Sequence, residues 1–331
     1  MVFSVIIPTY NRVEKLQKCL SSIVSQKFSS EDYEIIIVDD CSKDNTEDFC
    51  NDFVKEKNNI RYIKNRINKG RCVTRNEGIR VSKGFYLVFL DNDLVVEDNF
   101  LQTQLDFFKK NSDKKIAIIN NTSYPPAILS KSNFGTFIQS RAIGYRSERD
   151  MVSIDMRNVP ANYFAGGGSS IKREDAFSVG LFEESLGKYG SEDELFGHRF
   201  IASGGQIMYC DETKILHDDN DVSPRFWKVK FMELGHYGLR MLAEKEADLV
   251  DSTLYSYVMP IDRKRDGLVK SLKKIFINIM CQNIFRVPIE KYVFHTDDKK
   301  MFKNFFFYRY LTLAWIRSGF QSNKPLGEVK Y

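Results

Sequence analysis

The 331-residue chain carries only six cysteines, Cys19, Cys41, Cys50, Cys72, Cys210 and Cys281, and none stands in a Cys-x-x-Cys pair. Scattered in this way they read as reduced thiols in a cytosolic setting. No stretch approaches the ~20 consecutive apolar residues that a spanning helix needs. The apolar start, Val2 to Ile7, is too short for a signal peptide, lacks a basic leader and is closed by Pro8. These absences lead to the expectation of a cytoplasmic protein, soluble or peripheral on the inner face of the plasma membrane. The first strand-to-helix loop, Pro8-Thr9-Tyr10-Asn11-Arg12, has none of the Gly-x-Gly-x-x-Gly that brings a backbone against a dinucleotide pyrophosphate, and no Gly-x-x-x-x-Gly-Lys loop occurs. An NAD enzyme is therefore discounted. A net charge of +5 permits anionic ligands or lipid without demanding nucleic acid, and no nucleic-acid partner is expected.

What is present is ordinary in bulk, 43% hydrophobic and 28% charged, and informative in order. Strand-like runs at Phe3–Ile7, Glu34–Val38, Ile60–Ile63 and Phe85–Leu90 alternate with helical patterns. The helices are expected from about residue 13, from Thr46 to Lys57 and from Gly70 to Val81. Asn11 with Glu14 has the spacing of a capping box. Strand, helix, strand in regular order implies a parallel sheet with right-handed crossovers.

The run Phe85–Leu90 stops at Asp91-Asn92-Asp93. In an open α/β sheet, ligands sit beyond the carboxyl ends of the strands. Two carboxylates there suit a hard divalent cation that bridges to phosphate oxygens, although a plain polar turn has the same residues.

In motif order, Val5 to Arg12, Ile36 to Ser42 around Asp39-Asp40, Arg75-Asn76-Glu77-Gly78 and Asp91-Asn92-Asp93 resemble the family 2 glycosyltransferases of GT-A fold. The resemblance implies an α/β fold with a Rossmann-like, mostly parallel nucleotide-binding sheet, and a UDP-sugar donor. It places Pro8, Thr9, Tyr10, Arg12, Asp39, Asp40, Asn92 and Asp91 about the nucleotide, with Tyr10 offering a stacking face. Asp39 read without the family is equally a turn or cap residue. Arg71 and Arg75, one helical turn apart near a helix N-terminus, suit a diphosphate; Arg75 can instead pair with Asp40 or Asp91.

After Asn120 the rhythm changes. Residues 121–160 read as a loop-rich excursion with a short helix from Gly135 to Gly144. The triplet Gly166-Gly167-Gly168 lets a backbone approach a donor or acceptor sugar, or forms a tight hairpin. Ser191 with Glu194 has capping-box spacing, which puts Glu192 and Asp193 in the first turn of a helix to about Ser203. Phe164 to Phe200 resembles the acceptor half of chondroitin-polymerase and β-1,4-galactosyltransferase-type enzymes, with Tyr189-Gly190-Ser191 standing where a tryptophan and extra glycines often occur. That resemblance implies Asp193 as catalytic base with Glu192 beside it, and His217 as a metal ligand with Asp91 and Asp93 for Mn²⁺ or Mg²⁺. His217 read alone is equally a surface or capping residue.

From Ser223 the chain reads as helical. Residues 263–280 place Leu268, Leu272, Ile275, Phe276 and Ile279 on one face and Lys270, Lys273 and Lys274 opposite. An aromatic cluster from Phe302 to Trp315 follows. This segment suits an anionic membrane surface, and a helix packed on the catalytic domain suits it slightly better. The expected organisation is a GT-A catalytic domain over 1–220, divided into a nucleotide half 1–115 and an acceptor half 116–220, with a helical extension over 221–331. The expected function is inverting, metal-dependent transfer of one sugar to a hydroxyl of a glycan or lipid-linked acceptor. A non-catalytic sugar-nucleotide sensor on the same fold is the alternative.

Overall fold

In this computed structural model the described residues are all except 56, 142–154, 186–189, 219–220, 252, 300–304 and 323–331. Tyr189, Phe302 and the end of the helix expected at Gly135–Gly144 thus lie outside the described residues. The described chain forms two compact units. The first takes in Met1–Pro125, Arg141–Gly187 and Glu192–Asp219, and the second Pro126–Ser140, Lys188–Ser191 and Asn220–Tyr331.

The first unit opens with β1 (Phe3–Thr9), α1 (Val13–Val24), β2 (Tyr33–Asp39), α2 (Thr46–Val54), β3 (Ile60–Lys64), α3 (Arg71–Val81) and β4 (Tyr86–Phe89). β5 (Leu94–Val96), α4 (Phe100–Lys110) and β6 (Ile116–Ser123) follow. The short helices α5 (Pro126–Leu129) and α6 (Asn133–Gln139) belong to the second unit. The first unit resumes with β7 (Ser169–Lys172), α7 (Arg173–Ser178), α8 (Glu192–Ala202) and β8 (Gln206–His217).

These strands form one sheet in the order β3-β2-β1-β4-β7-β6-β8-β5. From β3 to β4 every pairing is parallel, and Val5, Ile6, Ile7, Ile35, Ile36 and Ile37 are fully buried. Strands covered on both faces read as continuous apolar runs, which is why this half is visible in the sequence. β7 then runs antiparallel to both β4 and β6, and β5 antiparallel to β8. The expected mostly parallel α/β sheet is what the chain forms, with antiparallel strands concentrated in its second half. The residues after β4 therefore emerge where the strand direction reverses.

Several local expectations are corrected. Asn11 does not cap α1, whose N-cap is Arg12 with no side-chain capping bond. Asn11 takes a left-handed φ of 49°, and its amide oxygen accepts from Lys43 N at 2.6 Å, so a tertiary partner outcompetes the cap. Ser191 likewise has φ 66° and its buried Oγ makes no hydrogen bond, so the second capping box is not formed. His217 closes the twelve-residue β8, which a register shift opposite Asn120/Asn121 interrupts.

The second unit continues with α9 (Pro224–Glu233), a π-helical turn Leu234–Gly238, α10 (Leu239–Lys245) and α11 (Ala247–Asp251). A 3-10 turn Leu254–Val258 then leads to α12 (Leu268–Met280), α13 (Asn283–Thr296) and α14 (Phe305–Gln321). α12 starts at Leu268 and not at residue 263. The core of this unit is aromatic, with Phe134, Phe137, Tyr308 and Trp315 packed beside Val293 and Leu311. Trp315 Nε1 donates to Glu290 Oε2 at 3.0 Å, which satisfies the indole where it is wholly buried. All six cysteines are buried and unbonded to one another.

Candidate active site

The site is built on the first unit, where β1, β2 and β4 end. Asp91 follows β4, and its Oδ1 accepts from Arg75 Nη2 at 2.9 Å. Arg75 Nη1 reaches Asp193 Oδ1, at the start of α8, at 3.3 Å. One guanidinium thus holds the first acid of the Asp-x-Asp stretch and the expected base. Arg75 is fully buried and lies over the Phe182 ring at 4.6 Å. It pairs with Asp91, as one sequence reading allowed, and it is not set out toward solvent as a phosphate clamp would be.

The rest of Arg75-Asn76-Glu77-Gly78 has structural duties. Asn76 Nδ2 donates to Phe182 O and Glu184 Oε1, and Asn76 Oδ1 accepts from Phe182 N. That clasp holds the Phe182 ring under Arg75. Phe182 was not singled out in the sequence, where an apolar residue in a polar loop gives no distinctive signal.

Asp39 and Asp40 part company. Asp39 is fully buried; its Oδ1 accepts from Ser42 N and Oγ, and its Oδ2 from Tyr62 Oη at 2.7 Å. This is the turn-holding role that the sequence left open. Asp40 Oδ1 accepts from Lys69 N at 2.7 Å and Asp40 Oδ2 from Gly70 N at 2.8 Å. The amides just ahead of α3 are therefore directed at Asp40. Arg71, at the first position of α3, pairs with buried Glu192 at 3.1 Å and keeps about a third of its side chain exposed.

At the end of β1, Thr9 Oγ1 accepts from Asn92 Nδ2 at 2.8 Å, which fixes the turn between the two acids. Pro8 is paired in register with Val38, while Tyr10 is 41% exposed and leaves a ring face open to a base. Arg12 Nη1 pairs with Asp93 Oδ2 at 2.9 Å.

The glycine stretch passes directly over the acids. A Cβ on Gly166 would collide with Asp193 Oδ1 and Arg75 Nη1, and one on Gly167 would stand 2.5 Å from Asp91 Oδ2. Gly168, at φ 82°, donates from its N–H to Phe89 O at 2.7 Å and leads into β7. The triplet is a close-approach loop between the two carboxylates.

The acids are tuned in opposite directions. Burial pushes Asp193 up to about 6, and the neighbouring Glu192 charge adds to that; Arg75, the Gly166 N–H and Arg71 oppose it. Burial thus outweighs the lowering that a helix N-terminus would give Asp193. Burial would raise Asp91 too, but Arg75, then Arg71, outweigh it and hold Asp91 below its usual value, with His217 adding to the effect.

Among the described residues no three His, Cys, Asp or Glu side chains converge as a metal-holding group. The expected trio of Asp91, Asp93 and His217 is not assembled, because Asp91 is drawn to Arg75 and Asp93 to Arg12. His217 is nonetheless placed beside Asp93: it pairs with Leu94, and Asp218 N donates to Asp93 O at 2.7 Å. Tyr124 stacks on the His217 ring at 4.8 Å, and His217 Nδ1 is buried without a hydrogen-bond partner. That orphaned nitrogen and the Asp93 carboxylate are donors that would suit a divalent ion. Tyr124, and Lys15 and Lys18 on Asp218, support this corner and gave no motif in the sequence.

Comparison with known proteins follows the same lines. The family model described as Glycosyl transferase family 2 matches residues 4–150. A chondroitin synthase of Escherichia coli is 28% identical over 240 residues, 65% of this chain, and the match spans only 34% of that protein's length. Glycosyltransferase GlyG of Streptococcus pneumoniae is 34% identical over 226 residues, 65% of this chain and 70% of its own length. Mannosyltransferase PcManGT from Pyrobaculum calidifontis, solved with GDP-Man and Mn²⁺, superposes with a TM-score of 0.61 at 13% identity, over 96% of this chain and 86% of that one. The shared architecture is the GT-A fold.

Proposed function

The chain belongs to the family 2 glycosyltransferases, and from that premise we propose that it moves one sugar from a UDP-sugar to a hydroxyl of a glycan or lipid-linked acceptor, with inversion, in bacterial surface polysaccharide synthesis. The observation that carries this reading is the placement of Asp193 at the head of α8, against Gly166 and held by the same arginine as Asp91, where burial pushes its carboxyl up to about 6. A base works best when its pKa lies near the working pH while it remains mostly ionised. A non-catalytic sugar-nucleotide sensor has no use for such a group.

In this mechanism Asp193 takes the proton of the acceptor hydroxyl as its oxygen bonds to C1 of the donor sugar. The C1–O bond to the diphosphate breaks on the opposite face, and the electron pair leaves on the β-phosphate, giving one displacement and inversion. Glu192 stays paired with Arg71 and orients the acceptor side. Tyr10 stacks on the base, and Arg71 and Arg12 are the cations within reach of the diphosphate. Asp93 and His217, with Asp91 behind them, would hold Mn²⁺ or Mg²⁺. Such an ion, when bound, stabilises negative charge on the leaving diphosphate.

The test is a donor-hydrolysis and transfer screen over UDP-sugars and GDP-mannose with Mn²⁺, on wild type and Asp193→Asn. We expect turnover with a UDP-sugar, an anomer opposite to the donor's, and a loss of about two decades or more in the variant, since a positioned base contributes ~10²–10⁴-fold. UDP affinity should stay within a few-fold, because Asp193 faces the acceptor. Turnover with GDP-mannose alone would overturn the donor assignment, and a retained anomer would remove Asp193 as the base of a single displacement.

A further inference from the structure

The face that α12 turns to solvent is apolar. Leu268, Val269, Leu272, Ile275, Phe276 and Ile279 are 43–77% exposed. At helical spacing they form one continuous stripe. Ile284, 73% exposed, and Phe285, 40% exposed, prolong it into the first turn of α13. The lysines across the helix point the other way. Lys274 Nζ pairs with Asp266 at 2.5 Å, and Lys270 Nζ with Asp251 at 3.0 Å and Asp266 at 3.2 Å. The usual arrangement of a surface helix is thus inverted, with ion pairs beneath and aliphatic and aromatic side chains outside.

The rim of this stripe is basic. Arg263 and Lys264 before the helix, and Lys273 at the edge of the stripe, are exposed and their side chains form no ion pair among the described residues, while neighbouring Asp262 accepts from the Lys264 backbone N–H at 2.8 Å. α12 itself has no acidic residue. Beside Ile275 and Ile279 opens a cavity of about 410 Å³ that Arg317 also lines. Arg317 donates to Asn278 Oδ1 and to Val258 O, and no carboxylate among the described residues balances it.

We propose that this face is a membrane-docking surface that lays the second unit on an anionic phospholipid bilayer. A helix of thirteen residues is too short to span, and no helix among the described residues is long and apolar enough to cross a membrane. Its geometry is that of a helix lying in the interfacial plane, with the apolar stripe among the acyl chains and the cations at headgroup depth. Arg317 then meets a lipid phosphate at the mouth of the cavity. Charge decides against a second copy of the chain as occupant: a two-fold contact sets each patch against itself, which would bring the basic rims together.

The experiment is flotation of the full chain with phosphatidylcholine vesicles, with and without phosphatidylglycerol. We expect recovery with the mixed vesicles, weak recovery with phosphatidylcholine alone, and release as salt rises, since the Debye length falls to about 10 Å at 0.1 M. The double variant Leu272→Ser, Phe276→Ser should bind at least about tenfold more weakly with its melting temperature unchanged, because both side chains are exposed. Lys273→Glu should cost about fivefold or more, in line with roughly 1 kcal/mol per surface cation. Lys274→Glu is not a usable variant, because Lys274 neutralises buried Asp266. Absence of flotation, equal recovery with both vesicles, or binding untouched by the double variant would overturn the proposal. So would a dimer in sedimentation velocity that the double variant dissolves.

Discussion

Asp193 is held between two opposing demands, and its pH behaviour follows from them. With a pKa of about 6, turnover should fall roughly tenfold per pH unit below that value and level off above it. A pH profile of kcat/KM with its acid limb near 4 would contradict a carboxyl raised by burial. The same shift has a signed consequence for stability. The carboxyl loses its proton near 3.8 when unfolded and near 6 when folded. Between those values the unfolded chain binds fewer protons, so stability contributed by this group is present at low pH and is lost as pH rises through the window. Asp193→Asn should therefore melt higher than wild type at pH 8 and gain nothing at pH 4. A variant that melts lower at pH 8 would mean that the contact with Arg75 outweighs the cost of burial. None of this was legible in the residues, because spacing places Asp193 in a first helical turn and says nothing about what covers it.

The glycine stretch before β7 separates the two halves of the chemistry. Gly166 lies against Asp193 and Arg75, and Gly167 against Asp91. Neither has a positive φ, so alanine tests contact and not backbone strain. Gly166→Ala should lower kcat by about tenfold or more while the donor KM moves little, since misplacing a catalytic group by ~1 Å can cost ~10²-fold. Gly167→Ala should instead raise the donor KM and the Mn²⁺ concentration needed for half-maximal rate. Steady-state kinetics over donor and metal concentration separate the two, and identical effects from both variants would sink the division of labour. At this scale the sequence was uneven. The parallel strands β1, β2 and β4 were legible because burial on both faces leaves uninterrupted aliphatic runs. β5, α4 and the first part of β8 were not, because three-residue strands and mixed faces carry little periodicity. The capping boxes at Asn11 and Ser191 failed for a different reason: both residues take left-handed backbones, which a local pattern cannot foresee. The apolar stripe of α12 was legible as a pattern, but which way it faced was not.

At the scale of the whole chain, the family was carried by four motifs within the first hundred residues, although two of their arginines and acids hold the frame more than they face a ligand. The second unit gave almost no functional signal beyond its helices. Its one cysteine and four of those in the first unit nevertheless share a property. Burial pushes the Cys50 and Cys72 thiols up to about 12 and Cys210 to about 11, and raises Cys19 and Cys281 as well. A thiol in that state presents almost no thiolate at neutral pH, and the thiolate is the reactive form. The native chain should accordingly resist maleimide at these five positions, and each should label only when its surroundings open. Cys281 lies in the second unit and the other four in the first. Pulse labelling along a urea gradient, read by peptide mass, should then time the opening of each unit separately, with no engineered probe; uniform fast labelling in buffer would refute it. The chain carries its own set of chemical stopwatches, started by the loss of packing and read one residue at a time.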